Sequence, residues 1–151
     1  MVAVFAGDPI LAADMNRALT RVIGTPSIQT AAGTAINSTT DTQIDSLTVT
    51  VEAGRRYKLI ARVPWLGSVA NDNFYIFLRE TSATGTQLTF RNARVTQITR
   101  VDMTDLWTYW TAASSGSMTF VSSGRRSDGS GSLTPQGATN GPRTLTLEAA
   151  D

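Results

Sequence analysis

From Ser27 to the end of the chain, apolar and polar residues alternate over short runs that are punctuated by clusters of Gly, Ser, Thr, Asn and Asp. In SLTVTVEAG, Leu47, Val49 and Val51 fall on one face and Ser46, Thr48 and Thr50 on the other, the period of a strand with one buried side. Ala53–Gly54 supplies a turn, after which Tyr57, Leu59, Ala61 and Val63 share a face opposite Lys58, Ile60 and Arg62, so VEAGRRYKLIARV reads as a hairpin corner. FYIFLRET opposes Phe74, Ile76 and Leu78 to Tyr75, Phe77 and Arg79, which predicts a strand covered on both sides. QLTFRNARVTQITRV reads as a long Thr/Arg-rich strand with a bulge at Asn92, and LWTYWTAA, SMTFVSS and RTLTLEAAD follow as further strands. SIQTAAGTAINST carries one or two weak, Thr-rich strands. PWLGSVANDN reads as a polar connection, and GRRSDGSGSLTPQGATNGP as a long exposed loop.

The first residues follow a different rule. Asp8–Pro9 makes an N-cap and first helical position, and Leu11, Met15, Ala18, Leu19 and Val22 recur at helical spacing until Gly24 and Thr25–Pro26 end the run. The expected organisation is a segment 1–24 with a short amphipathic helix, followed by an all-β domain over 25–151. About eight antiparallel strands fit a jelly-roll β-sandwich, and an immunoglobulin-like sandwich is the competitor, without its Cys–Trp–Cys landmark.

Composition narrows the function. The chain has 151 residues, enough for one core, with 41% hydrophobic and 17% charged residues, which excludes a charge-driven disordered chain. A net charge of +1 and only two basic doublets, Arg55–Arg56 and Arg125–Arg126, argue against nucleic acid as a partner. No uncharged apolar run approaches the roughly 18 residues of a membrane span, and the N-terminus lacks the pattern of a secretory leader, so folding in a cytoplasm is expected. The absence of Cys and His removes thiolate chemistry, the commonest metal ligand and the commonest general base, so no cofactor or metal is expected.

Candidate chemistry is correspondingly thin. No GxSxG or SxxK motif is present, and Asp102 and Asp105, in a VDMTD turn, are the nearest thing to a glycosidase carboxylate pair; turn formation is the simpler reading. The chain reads as a non-enzyme. Trp65, beside Pro64 and Gly67, is the exposed aromatic that could meet a glycan, whereas Trp107 and Tyr109 lie on the face opposite Trp110 and read as core or subunit interface. Ile60, Tyr75 and Phe77 stand on faces that a monomeric sandwich would expose, which adds them to the interface set.

AGDPILAADMNRAL, then DSLTVTVEAGRRYKLIARV, then a strand ending LRET, resembles small virion proteins of tailed bacteriophages, particularly those of actinobacterial hosts, with an AGRRY-type strand like one in tumour-necrosis-factor-like jelly rolls. The likeness spans about the first 80 residues and brings no catalytic motif. It implies a virion structural protein, commonly a homotrimer, assembled in the host cytoplasm and placed on the virion surface as a capsid decoration, head-fibre or minor tail component. The major capsid protein or another virion protein would be the partner, with Val4, Phe5, Leu11, Met15 and Leu19 carrying the docking. A tail location binding a host surface glycan through Trp65 and the 125–141 loop is the alternative, and an enzyme acting on cell-wall polysaccharide through Asp102 and Asp105 is the third reading.

Overall fold

In the computed structural model, residues 22–137 and 141–150 are described. The helix expected over the first two dozen residues, and the docking candidates Val4, Phe5, Leu11, Met15 and Leu19, lie outside them, except at the helix's last two positions. There Val22 forms a bridge with Glu148 and the Ile23 N–H donates to the Leu147 carbonyl at 2.7 Å, so these two residues run extended beside a strand rather than closing a helix.

Nine strands follow: β1 (Ser27–Gln29), β2 (Thr42–Val51), β3 (Arg56–Gly67), β4 (Asn73–Glu80), β5 (Gln87–Arg94), β6 (Asp102–Thr111), β7 (Gly116–Asp128), β8 (Leu133–Pro135) and β9 (Arg143–Ala149). They form two antiparallel sheets, one ordered β1-β9-β3-β6 with β8 also on β3, the other ordered β2-β7-β4-β5. Over the described residues the fold is an all-β sandwich. The expected inward sets are correct: Tyr57, Leu59, Ala61 and Val63 from β3 meet Leu47, Val49 and Val51 from β2 and Phe74, Ile76 and Leu78 from β4 in one core. Tyr57, Trp110 and Phe120 pack in succession through it, the first pair tilted with ring centroids 6.0 Å apart and the second edge to face at 5.0 Å.

The corner after Val51 is not a hairpin. β2 lies in the four-stranded sheet and β3 in the five-stranded one, so Glu52–Arg55 carries the chain between layers. A second corner between β6 and β7 does the same, and the two brace each other: the Gly54 N–H donates to the Ala112 carbonyl at 2.8 Å and the Ala53 N–H to Ser115 Oγ at 2.8 Å. Gly54 sits at φ 77°, the left-handed conformation that glycine adopts without penalty.

Three further expectations are corrected. Pro64–Gly67 is not a connection but the end of β3, paired with β6 and β8. The long late loop is largely structured: β7 extends to Asp128, and Leu133 of β8 is fully buried and exchanges backbone hydrogen bonds with Ile36. Asp72 organises the turn between β7 and β8, its carboxylate accepting the Ser130 N–H at 3.0 Å and the Gly131 N–H. Asn92 keeps an unbroken register opposite Tyr75, while the irregularities fall at Gln43/Asp45, Asn73/Phe74 and Leu78/Arg79.

Candidate functional site

β9, β3 and β6 lie side by side, and their pairing aligns the outward side chains into rows: Thr144–Arg62–Asp105, Thr146–Ile60–Trp107 and Glu148–Lys58–Tyr109. The alternation that buries Tyr57, Leu59 and Ala61 forces Lys58, Ile60 and Arg62 outward, and the same parity in β6 turns Leu106 inward and Trp107 and Tyr109 out. Trp107 is 54% exposed, Tyr109 48% and Met103 46%, while Ile60 is half-buried among them. This outer face of the five-stranded sheet is the principal candidate site.

Its aromatics are held in place. Trp107 and Tyr109 meet edge to face at 5.8 Å, the Arg56 guanidinium lies 4.0 Å above Tyr109, and Lys58 Nζ stands 5.3 Å from the Trp107 ring centre. Arg62 Nε donates to Asp105 Oδ1 at 3.2 Å in the neighbouring row. Between these rows and the Gly141–Pro142 turn runs an open groove of about 380 Å³. Ile60, Met103, Leu106, Trp107 and Thr146 are among the residues that line it.

The opposite outer face belongs to the four-stranded sheet and carries a second aromatic group. Tyr75, Phe77 and Phe90 pack together with centroids 5.5 to 6.0 Å apart. Phe90 is 48% exposed, but Phe77 is only 2% exposed, contrary to its expected place on an open face. The Arg79 guanidinium lies 4.3 Å over Phe77 and that of Arg125 5.2 Å, and both are drawn there by Asp41, at 2.8 Å from Arg79 and 3.8 Å from Arg125. Arginine stems and planar heads cover the ring that sequence left bare.

The five residues expected at one interface therefore divide. Ile60, Trp107 and Tyr109 share the face of the five-stranded sheet, and Tyr75 and Phe77 belong to the other sheet. Trp65, expected as the exposed glycan contact, is 3% exposed and donates from Nε1 to Thr104 Oγ1 at 2.9 Å inside the sandwich, because β3 continues past Pro64 instead of ending there. Asp102 and Asp105 do not pair: they sit three apart in β6, so their side chains leave opposite faces, Asp102 toward Arg100 at 3.3 Å and Asp105 toward Arg62. Among the described residues, no group of three acidic side chains is placed to hold a metal ion, and no helix is long and apolar enough to cross a membrane.

Sequence reasoning missed Met103, the Arg62–Asp105 pair and Phe90 as surface partners. The signal was present for the first two, since the alternation of DMTDLWTYW sets Met103, Asp105, Trp107 and Tyr109 on one face.

The fold and the site together define an antiparallel β-sandwich with an exposed aromatic face. No protein-family model matches the chain, and no curated protein matches it in sequence. In structure the chain is similar to the infectious bursal disease virus VP2 subviral particle, with 14% identity over 99% of this chain and 42% of that one and a TM-score of 0.48. It is also similar to the EclA C-terminal domain, a sugar-binding protein, with 15% identity over 97% of this chain and 87% of that one and a TM-score of 0.41. A third likeness is to the Arthrobacter globiformis T6 isomalto-dextranase complexed with panose, with 13% identity over 80% of this chain and 23% of that one and a TM-score of 0.41. The chain thus spans less than half the length of the VP2 chain. Likenesses of this order do not carry function from one chain to another.

Proposed function

We propose that this chain is a structural protein of a virion, of the tailed-bacteriophage kind, and that it acts as a trimeric capsid decoration protein binding the capsid lattice. The observation that supports this most is the placement of the aromatics. The core takes in Tyr57, Trp65, Phe74 and Phe120, yet Trp107, Tyr109 and Phe90 remain outside, on two opposite faces. Clustered exposed aromatics mark binding surfaces, and here they stand on the outer faces of the two sheets.

The strand orders support a jelly roll as the form of the sandwich, since the chain passes repeatedly between the two layers and consecutive strands are seldom neighbours. The N-terminal resemblance supports the phage assignment, with residues 1–24 as the docking segment. The trimer seam is assigned to the four-stranded sheet, where Phe90 and Tyr75 lie over Phe77 and a second copy would cover them.

Light scattering on the 151-residue chain tests the assembly: three chain masses, falling to one in Phe90→Ser, are expected. A single chain mass for the unaltered protein would remove the trimer. Co-sedimentation with emptied phage heads tests the particle, and failure to pellet with heads would remove the decoration role. A second reading, a tail component that binds a host surface glycan, draws support from the groove beside Trp107.

A further inference from the structure

We propose that the groove on the outer face of the five-stranded sheet is a saccharide-binding site, with Trp107 as its stacking platform and a neutral hexose oligosaccharide as its ligand. The inference deepens the reading of the chain as an adhesive surface protein, but it concerns the isolated sandwich and does not depend on attachment to a head.

Three observations carry it. The groove, about 380 Å³, falls within the roughly 300–1,000 Å³ typical of small-ligand sites. One side is an indole that is 54% exposed and held in place by Tyr109 and Lys58, neither of which lines the groove. A pyranose offers a face of C–H groups to such a ring and a rim of hydroxyls to its neighbours. The neighbours suit hydroxyls: Arg62 and Asp105 form an exposed fork of donor and acceptor, 56% and 58% accessible, and Thr146 and Glu148 add a hydroxyl and a carboxylate to the lining. Hydroxyls can bridge a carboxylate and a guanidinium without displacing their ion pair.

Charge selects the class. The lining carries one guanidinium and two carboxylates, and Lys58 stands beside Trp107 and opposite Glu148, so the surroundings are close to neutral and hold no excess of cations to draw sialylated or uronate-bearing chains. The same composition argues against a second copy of this chain as the occupant. Each apolar residue here has a charged neighbour in the next row, whereas the centre of a protein interface is depleted of charge.

The test is saturation-transfer NMR on the 151-residue chain with glucose-, galactose- and mannose-based trisaccharides, beside sialyllactose. Transfer to ring C–H protons of at least one neutral trisaccharide is expected, with binding weakened roughly tenfold in Trp107→Ala, as loss of a stacking ring implies, and partly kept in Trp107→Phe. Phe90→Ser, on the opposite sheet, should bind as the unaltered protein does. No transfer to any neutral trisaccharide would overturn the proposal, as would binding unchanged in Trp107→Ala. Preference for sialyllactose would overturn the neutral class. Loss of co-sedimentation with heads, by contrast, would leave this result untouched and count only against the decoration role.

Discussion

Arg143 of β9 reaches across the sandwich to Asp45 of β2, its Nε 3.1 and 3.3 Å from the two carboxylate oxygens, with both side chains at least nine-tenths buried. The irregular register at Gln43/Asp45 accompanies this turn of Asp45 into the interior, beside Ile44. Arg143 Nη1 also donates to the carbonyls of Ala31 and Gln136, at 2.5 and 3.1 Å, so one guanidinium ties both sheets to two connecting segments. A buried pair need not add net stability, but removing one partner leaves a charge in a dry site.

Arg143→Met should therefore cost about 3–5 kcal/mol of unfolding free energy, and the double variant Arg143→Met/Asp45→Leu clearly less than the sum of the single changes. Urea titration of the four proteins checks this. Additive losses would mean that the two side chains do not act as a pair.

Trp65 is a core residue, so its replacement should read out as stability and leave surface recognition alone. Trp65→Phe removes the hydrogen bond to Thr104 along with part of the ring, and should lower stability by roughly 1–3 kcal/mol while saccharide binding persists. Thermal unfolding together with the trisaccharide measurement decides it; full stability with lost binding would return Trp65 to the surface.

Trp107→Ala should behave in the opposite way. A half-exposed ring on an outer face contributes little to folding, and the change in unfolding free energy should stay within about 1 kcal/mol. A larger loss on urea unfolding would make Trp107 a structural residue.

Gly67→Ala should destabilise by roughly 1–3 kcal/mol, since a Cβ there would drive into the side chain of Val95, which is itself fully buried. Gly54→Ala meets no neighbour, but its φ of 77° makes the added Cβ a local strain of about 1 kcal/mol. Chemical denaturation of both should rank Gly67→Ala as the more damaging change.

Asp72→Ala should loosen one turn rather than the whole molecule. The Ser130 and Gly131 amides lose their acceptor, so hydrogen exchange there should accelerate by at least about tenfold, while amides of β3 and β9 stay protected. Unchanged exchange at 130–131 would show that the turn holds itself.

Much of the sandwich was legible along the chain because strand alternation is local. The inward sets around Leu47, Leu59 and Ile76 required only the period of two and the identity of each side chain. The same rule separated Trp110 from Trp107 and Tyr109, and the structure keeps them on opposite faces, Trp110 against Tyr57 and Phe120 inside. Alternation does not say which of two faces is covered, and there the reading of Trp65 and Phe77 went astray. The run Pro64–Trp65–Leu66–Gly67 looks like the end of a strand, yet β3 runs on because β6 and β8 pair with it across more than thirty residues of intervening chain.

By itself, then, the sequence determined an all-β domain from residue 25 onward, in a chain without the side chains for thiol or imidazole chemistry, and it determined the parity of nearly every strand residue, since these follow from composition and neighbouring positions alone. Tertiary structure decided which sheet each strand joined, that Val51 to Arg56 is a crossing and not a hairpin, and that Arg79 and Arg125 cover Phe77 while Trp107 stays open. Those outcomes depend on partners distant in the chain. Burial is a property of what lies across a sheet, and no window of sequence contains both sides of that contact.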